Sequence, residues 1–103
     1  MAEGARDPAP DERQGWIDED LAYLTHEWAA LPDLAGEWEG LGQAERLDFV
    51  LEWPLREERL RDLRRWAEID WFTPEQRRCY DELLDLIARH RPILARLLRD
   101  EIA

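Results

Sequence analysis

The chain is predicted to be all-α, a small bundle of three to five helices with a kinked C-terminal helix. Apolar residues recur at three- and four-residue steps in several segments, the period of a helix with one buried face. No segment alternates with the period of two that a half-buried strand requires. "TPEQ" at 73–76 has the residues of a helix start in their proper order. At 103 residues the chain is one domain, and no repeat of 20 to 50 residues is visible.

The elements follow in chain order. Residues 1–15 contain Gly4, Pro8, Pro10 and Gly15 without apolar periodicity, which predicts a flexible N-terminal tail ahead of a single helical domain at 16–103. In "WIDEDLAYLTHEWAALPD", Ile17, Leu21, Leu24, Trp28 and Leu31 step by 4, 3, 4 and 3. Asp18, Glu19 and Asp20 fall in the first turn, where the helix dipole favours acids, and Pro32 ends the segment. "LAGEWEGLGQ" keeps the spacing through Leu34, Trp38 and Leu41, but Gly36, Gly40 and Gly42 reduce it to a short or broken helical turn.

From about Gln43 to Trp53 a firmer helix is apolar on two sides. Ala44, Leu47 and Leu51 share one face with Val50 at its edge, and Phe49 and Trp53 lie opposite at i and i+4. Such a helix is either central in the bundle or presents a contact patch. Pro54 either begins the next helix or kinks a longer one. Leu60, Leu63, Trp66 and Ala67 then cover one arc. After "TPEQ", Tyr80, Leu83, Leu84, Ile87, Leu94 and Leu98 hold one phase. Pro92 lies inside that stretch on the polar side, predicting a kinked helix or two nearly collinear ones meeting near His90–Pro92.

Composition narrows the function. All fourteen basic residues are arginine, and serine, asparagine and lysine are missing. This fits a GC-rich bacterial source. Residues 1–52 carry fourteen acids and three arginines, a balance of −11, whereas residues 53–103 carry eleven of each. The net charge argues against direct binding of nucleic acid, whose phosphates it repels. Between Leu55 and Glu68, five arginines are matched by Glu57, Glu58, Asp62 and Glu68, with Glu57–Arg61, Arg64–Glu68 and Asp62–Arg65 at helical pair spacings. That segment reads as a solvated helix face. No apolar run is long enough to span a membrane, and residues 1–15 have no apolar core of a secretory signal. A cytoplasmic location without membrane contact is expected.

Chemistry is sparse. There is no serine nucleophile and no lysine for a Schiff base. Cys79 and His90 are too far apart along one helix to share a metal, and His26 lacks the second histidine of a zincin motif. Cys79 beside Tyr80 and Leu83 reads as a small core residue, and His90 as a hydrogen-bonded histidine at the stripe's edge. No catalytic residue, metal or cofactor is expected. Trp28, Trp38 and Trp66 are expected in the core, while Trp16, Trp53 and Trp71 leave room for an exposed anchor. The expected function is a noncatalytic protein–protein interaction module, such as a small regulator, an antitoxin-like partner or an assembly subunit, that binds a protein or itself. The residues expected to make that contact are Phe49, Trp53, Trp71 and Phe72. The alternative is an acidic nucleic-acid mimic offering residues 1–52 to a basic groove.

Overall fold

The computed structural model describes residues 9–102. Among them are four α-helices, one short 3-10 turn and no strand: α1 Pro10–Ala29, α2 Leu31–Glu37, the 3-10 turn Trp38–Gly40, α3 Gln43–Glu68 and α4 Pro74–Ile102. The fold is all-α, and no helix among the described residues is long and apolar enough to cross a membrane.

The three long helices start by one device. The third helical residue reaches back and accepts the cap residue's amide: Glu12 from Ala9, Glu45 from Gly42 and Gln76 from Thr73, each at 2.9 Å. Only Thr73 completes the exchange, its hydroxyl accepting from the Gln76 amide at 3.1 Å.

The first of these starts corrects the tail expected at 1–15. Residues 10–15 belong to α1; residues 1–8 lie outside the described part. Pro10 occupies the first helical position, where its missing N–H costs nothing. The Gln14 amide donates to the Trp71 carbonyl at 3.1 Å, and the Arg13 guanidinium lies 4.8 Å from the Trp71 ring centroid. These contacts tie the start of α1 to the α3–α4 connection.

α1 ends at Ala29, short of Leu31 in the expected stripe, and Pro32 does not close the helical region. It sits in the first turn of α2. At the other doubtful proline, α3 runs unbroken through Pro54, so one 26-residue helix stands where the sequence allowed two. α4 likewise continues through Pro92 as one helix. α3 ends with two bonds characteristic of a left-handed stop, Asp70 N–H to the Ala67 carbonyl and Trp71 N–H to the Trp66 carbonyl, at 3.1 and 3.0 Å. Asp70 takes the positive φ of 63° this requires.

α1 packs against both α3 and α4, α2 lies against α4, and α3 also meets α4. The core therefore runs along α1. The seam that α4 offers is Gln76, Tyr80, Leu83, Ile87, His90, Leu94 and Leu97, strictly alternating four- and three-residue steps. This shifts the expected stripe: Leu84 is exposed, Leu98 is half-buried and Leu97 takes the core position. The two polar seam positions are matched. Gln76 donates to Asp18 Oδ1 at 2.8 Å and to the Gln14 carbonyl at 3.3 Å.

His90 answers a defect created by Pro32. The Trp28 carbonyl, in the last turn of α1, would ordinarily accept the amide of residue 32, and proline has none. His90 Nδ1 donates there instead, at 2.8 Å. A neutral His90 must therefore carry its proton on Nδ1.

Two expected outcomes test this architecture. Gly15 is a helical glycine with open space around its missing Cβ, so Gly15→Ala should stabilise the fold by about 0.5–1 kcal/mol in urea unfolding. A tail at that position would give no change. His90→Ala should cost about 1–3 kcal/mol, the penalty for leaving a buried acceptor unmatched. Pro32→Ala in that background should recover part of the loss by restoring an amide to the Trp28 carbonyl.

Candidate functional site

The expected contact residues do not form one surface. Trp53 is 3% exposed, and its ring meets Trp28 edge-on at 5.1 Å and Phe49 at 5.3 Å. Phe49 is half-buried and meets the Trp38 ring edge-on at 5.6 Å. This aromatic face of α3 is covered by α1 and the α2–turn segment. Trp71 and Phe72 lie beyond the far end of α3, about 20 Å along the axis from Trp53 at 1.5 Å per residue. Trp71 stacks on Trp66 at 6.4 Å, and Phe72 meets Tyr80 edge-on at 5.3 Å. Trp53 is thus an interior residue, and the aromatic quartet divides between two places.

Covering the aromatic face leaves the opposite one uncovered. Leu47, Leu51 and Leu55 are 46%, 67% and 57% exposed. At i, i+4 and i+8 they form one ridge on the outer side of α3. Beside it runs a groove of about 480 Å³ between α3 and α4, with Val50, Pro54 and Leu98 in its wall. Leu55 was missing from the expected stripe because it follows Pro54, where the sequence allowed a new helix with a new phase.

The segment rich in arginine is not simply a solvated face. Arg56 donates to Glu27 through both Nε and Nη2, at 2.9 and 2.7 Å, and Arg59 donates to Asp20 at 2.9 Å. Both acids are on α1, so these arginines fasten α3 to it. Of the three helical pairs expected there, Asp62–Arg65 forms, at 2.8 Å. Glu57 instead accepts the Trp53 indole N–H at 3.0 Å and lies within 3.2 Å of Arg91.

The remaining reactive groups line a groove of about 610 Å³ between α1 and the start of α4, which includes His26, Glu75 and Cys79. No hydrogen bond joins His26 to Cys79, and no cluster of three metal-ligating side chains forms among the described residues. Cys79 is half-buried against the core. His90 is committed to the Trp28 carbonyl.

At the opposite edge of α1, a pocket of about 320 Å³ is bounded by Trp16, Glu19, Asp20, Arg59, Asp62 and Trp66. Trp66 is half-buried here rather than in the core, and Trp16 remains 46% exposed. Burial pushes the Asp20 carboxyl above its ordinary 3.8; Arg59 opposes the shift, and Asp62 and Glu19 add to it. Between 3.8 and the raised value, the folded chain holds a proton that the unfolded chain has released. Asp20's contribution is therefore full below pH 3.8 and is lost as pH rises through the folded value. Asp20→Asn removes this dependence. Its stability relative to the parent should climb as pH rises above 3.8 in parallel urea titrations; a constant difference would show that Asp20 titrates normally.

Compared with protein-family models, with curated proteins and with solved structures, the chain matches none.

Proposed function

We propose that the protein is a noncatalytic interaction module that binds a protein partner, or a second copy of itself, through the outer face of α3. The observation that carries this reading is the ridge of Leu47, Leu51 and Leu55, three large apolar side chains each 46% exposed or more on one helix face. Their contiguity supports the reading, since single exposed leucines are common and contiguous apolar patches are characteristic of interfaces. The shape supports the same reading. The radius of gyration is 16.2 Å, with extents of 49 × 34 × 18 Å, where a compact domain of this length has about 13 Å. A molecule this flat offers broad helical faces relative to its core.

Regulators, antitoxin-like partners and assembly subunits all work through such faces. A helix ridge fits the apolar groove of a partner, or pairs with the same ridge in an antiparallel copy.

Leu51→Asp tests the reading. Leu51 is 67% exposed, so the fold should keep its helicity by circular dichroism and its unfolding midpoint. Assembly, measured by light scattering for the protein alone and by co-purification from its native host, should be lost. A parent protein that stays strictly monomeric and retains nothing from that lysate overturns the proposal. So does a Leu51→Asp variant that assembles as the parent does.

A further inference from the structure

Arginine and aromatic rings are paired throughout this molecule. Guanidinium groups lie over four of the six tryptophans: Arg91 on Trp28 at 5.0 Å, Arg46 on Trp38 at 5.7 Å, Arg56 on Trp53 at 5.3 Å and Arg13 on Trp71 at 4.8 Å. Among the described residues, Trp16 and Trp66 carry none. These two form the open end of a stack. Arg13 caps Trp71, Trp71 lies parallel to Trp66 at 6.4 Å, and Trp66 meets Trp16 at 6.4 Å and 34°. Trp16 ends the series 46% exposed.

The same two indoles wall the pocket that holds Glu19, Asp20 and Asp62. One guanidinium faces these three carboxylates from inside the pocket. Arg59 is already committed, bonded to Asp20 at 2.9 Å and lying 4.6 Å from the Tyr23 ring. Asp62 is paired with Arg65 at 2.8 Å on the pocket's outer side. Glu19 makes no hydrogen bond or ion pair among the described residues. The pocket therefore combines an uncovered indole with an excess of negative charge, in a volume of about 320 Å³ that suits one side chain better than a cofactor.

We propose that this pocket is a docking site for the guanidinium of an arginine in a basic partner segment, stacked on Trp16 and hydrogen-bonded by Glu19. The chemistry selects arginine over lysine. A planar guanidinium covers an indole face while its edge donates to carboxylates, whereas an ammonium is a compact, strongly hydrated charge. The incoming arginine would occupy on Trp16 the place that Arg13 occupies on Trp71. The site goes beyond the leucine ridge and shares no residue with it.

The test titrates the full chain with a short peptide of alternating arginine and glycine, and separately with its lysine counterpart. Calorimetry and tryptophan emission follow binding at low and moderate salt. The arginine peptide should bind more tightly than the lysine peptide and weaken as salt screens the carboxylates. Trp16→Leu should reduce its affinity by about 5- to 30-fold, the range of a desolvated cation–π contact. Glu19→Gln should reduce it by about 2- to 5-fold and flatten the salt dependence. If Trp16→Leu loses helicity, the Glu19→Gln result decides. Undetectable binding overturns the proposal, as does equal affinity for the two peptides, which would report only general attraction to an acidic chain. Unchanged binding by folded Trp16→Leu overturns it as well. Leu51→Asp, on the other surface, should leave the titration unaltered, so failure here and failure of the ridge are read separately.

Discussion

The fold is fastened at Trp28. Its carbonyl lacks the amide that Pro32 cannot supply and takes a proton from His90 on α4. Its indole, 1% exposed, stands edge-on against Trp53 of α3, and Arg91 of α4 lies over its ring. One residue near the end of α1 thereby fixes the position of both other long helices. The proline turns a local deficit into a tertiary constraint. An α1 continuing past residue 31 would satisfy the carbonyl itself and leave His90 without that acceptor. A chain that must turn at residue 30 leaves an acceptor that only another element can reach.

Basic side chains also reach carbonyls at two other helix ends, where a backbone amide already donates: Leu41 N–H to the Trp38 carbonyl at 3.2 Å and Asp70 N–H to the Ala67 carbonyl at 3.1 Å. Arg46 adds a second bond to the Trp38 carbonyl at 2.9 Å, and Arg77 donates to the Ala67 carbonyl at 3.1 Å near the end of α3. C-terminal carbonyls are orphaned in any helix and carry the negative end of its dipole, so basic side chains suit them. With Arg56 and Arg59 holding α1, much of the arginine is committed inside the molecule. Of the five arginines between Leu55 and Glu68, Arg56 and Arg59 are drawn to α1, and Arg61, Arg64 and Arg65 stay on the exposed side. The acids of the first half are less fully matched, so the surface stays strongly negative, and a basic residue from elsewhere meets an existing excess.

What was legible in the sequence was whatever depended on local spacing. The Thr73–Gln76 exchange and the stripe Ile17, Leu21, Leu24 and Trp28 each need only one helix and stand as read, whereas Leu31 falls in α2 and Asp18, Glu19 and Asp20 lie two turns inside α1 rather than in its first turn. In α4, Tyr80, Leu83, Ile87 and Leu94 are buried as read, while Leu84 and Leu98 were included in place of Leu97 because two seam positions are polar. A seam containing Gln76 and His90 looks broken until Asp18 and the Trp28 carbonyl are placed against it, and those partners lie about 60 residues away. The start of α1 was hidden by Pro8, Pro10 and Gly15, and although Pro10 and Glu12 stand at the first and third helical positions, Ala9 at the cap lacks the side-chain acceptor that would complete the start signal. The division of α3 into a buried and an exposed face could not be decided by periodicity. Both faces have the right spacing, and only tertiary packing chooses between them.

The choice follows from area and chemistry. Phe and Trp bury about 150–250 Å² each and gain further from edge-to-face contacts. Turning Phe49 and Trp53 inward joins them to Trp28 and Trp38 in one continuous aromatic array. Turning Leu47, Leu51 and Leu55 inward would bury less area and would leave two large rings in water. α3 therefore rotates its aromatic side toward α1, and the leucines follow to the outside because a helix cannot move one face without the other. A bundle 18 Å thick in its smallest dimension has no further layer to cover them. Exposing them costs the isolated chain about 25 cal/mol for each Å² left wet. That uncovered area is also the free energy available to a partner. The stability the fold forgoes on the outer side of α3 is regained only when something binds there.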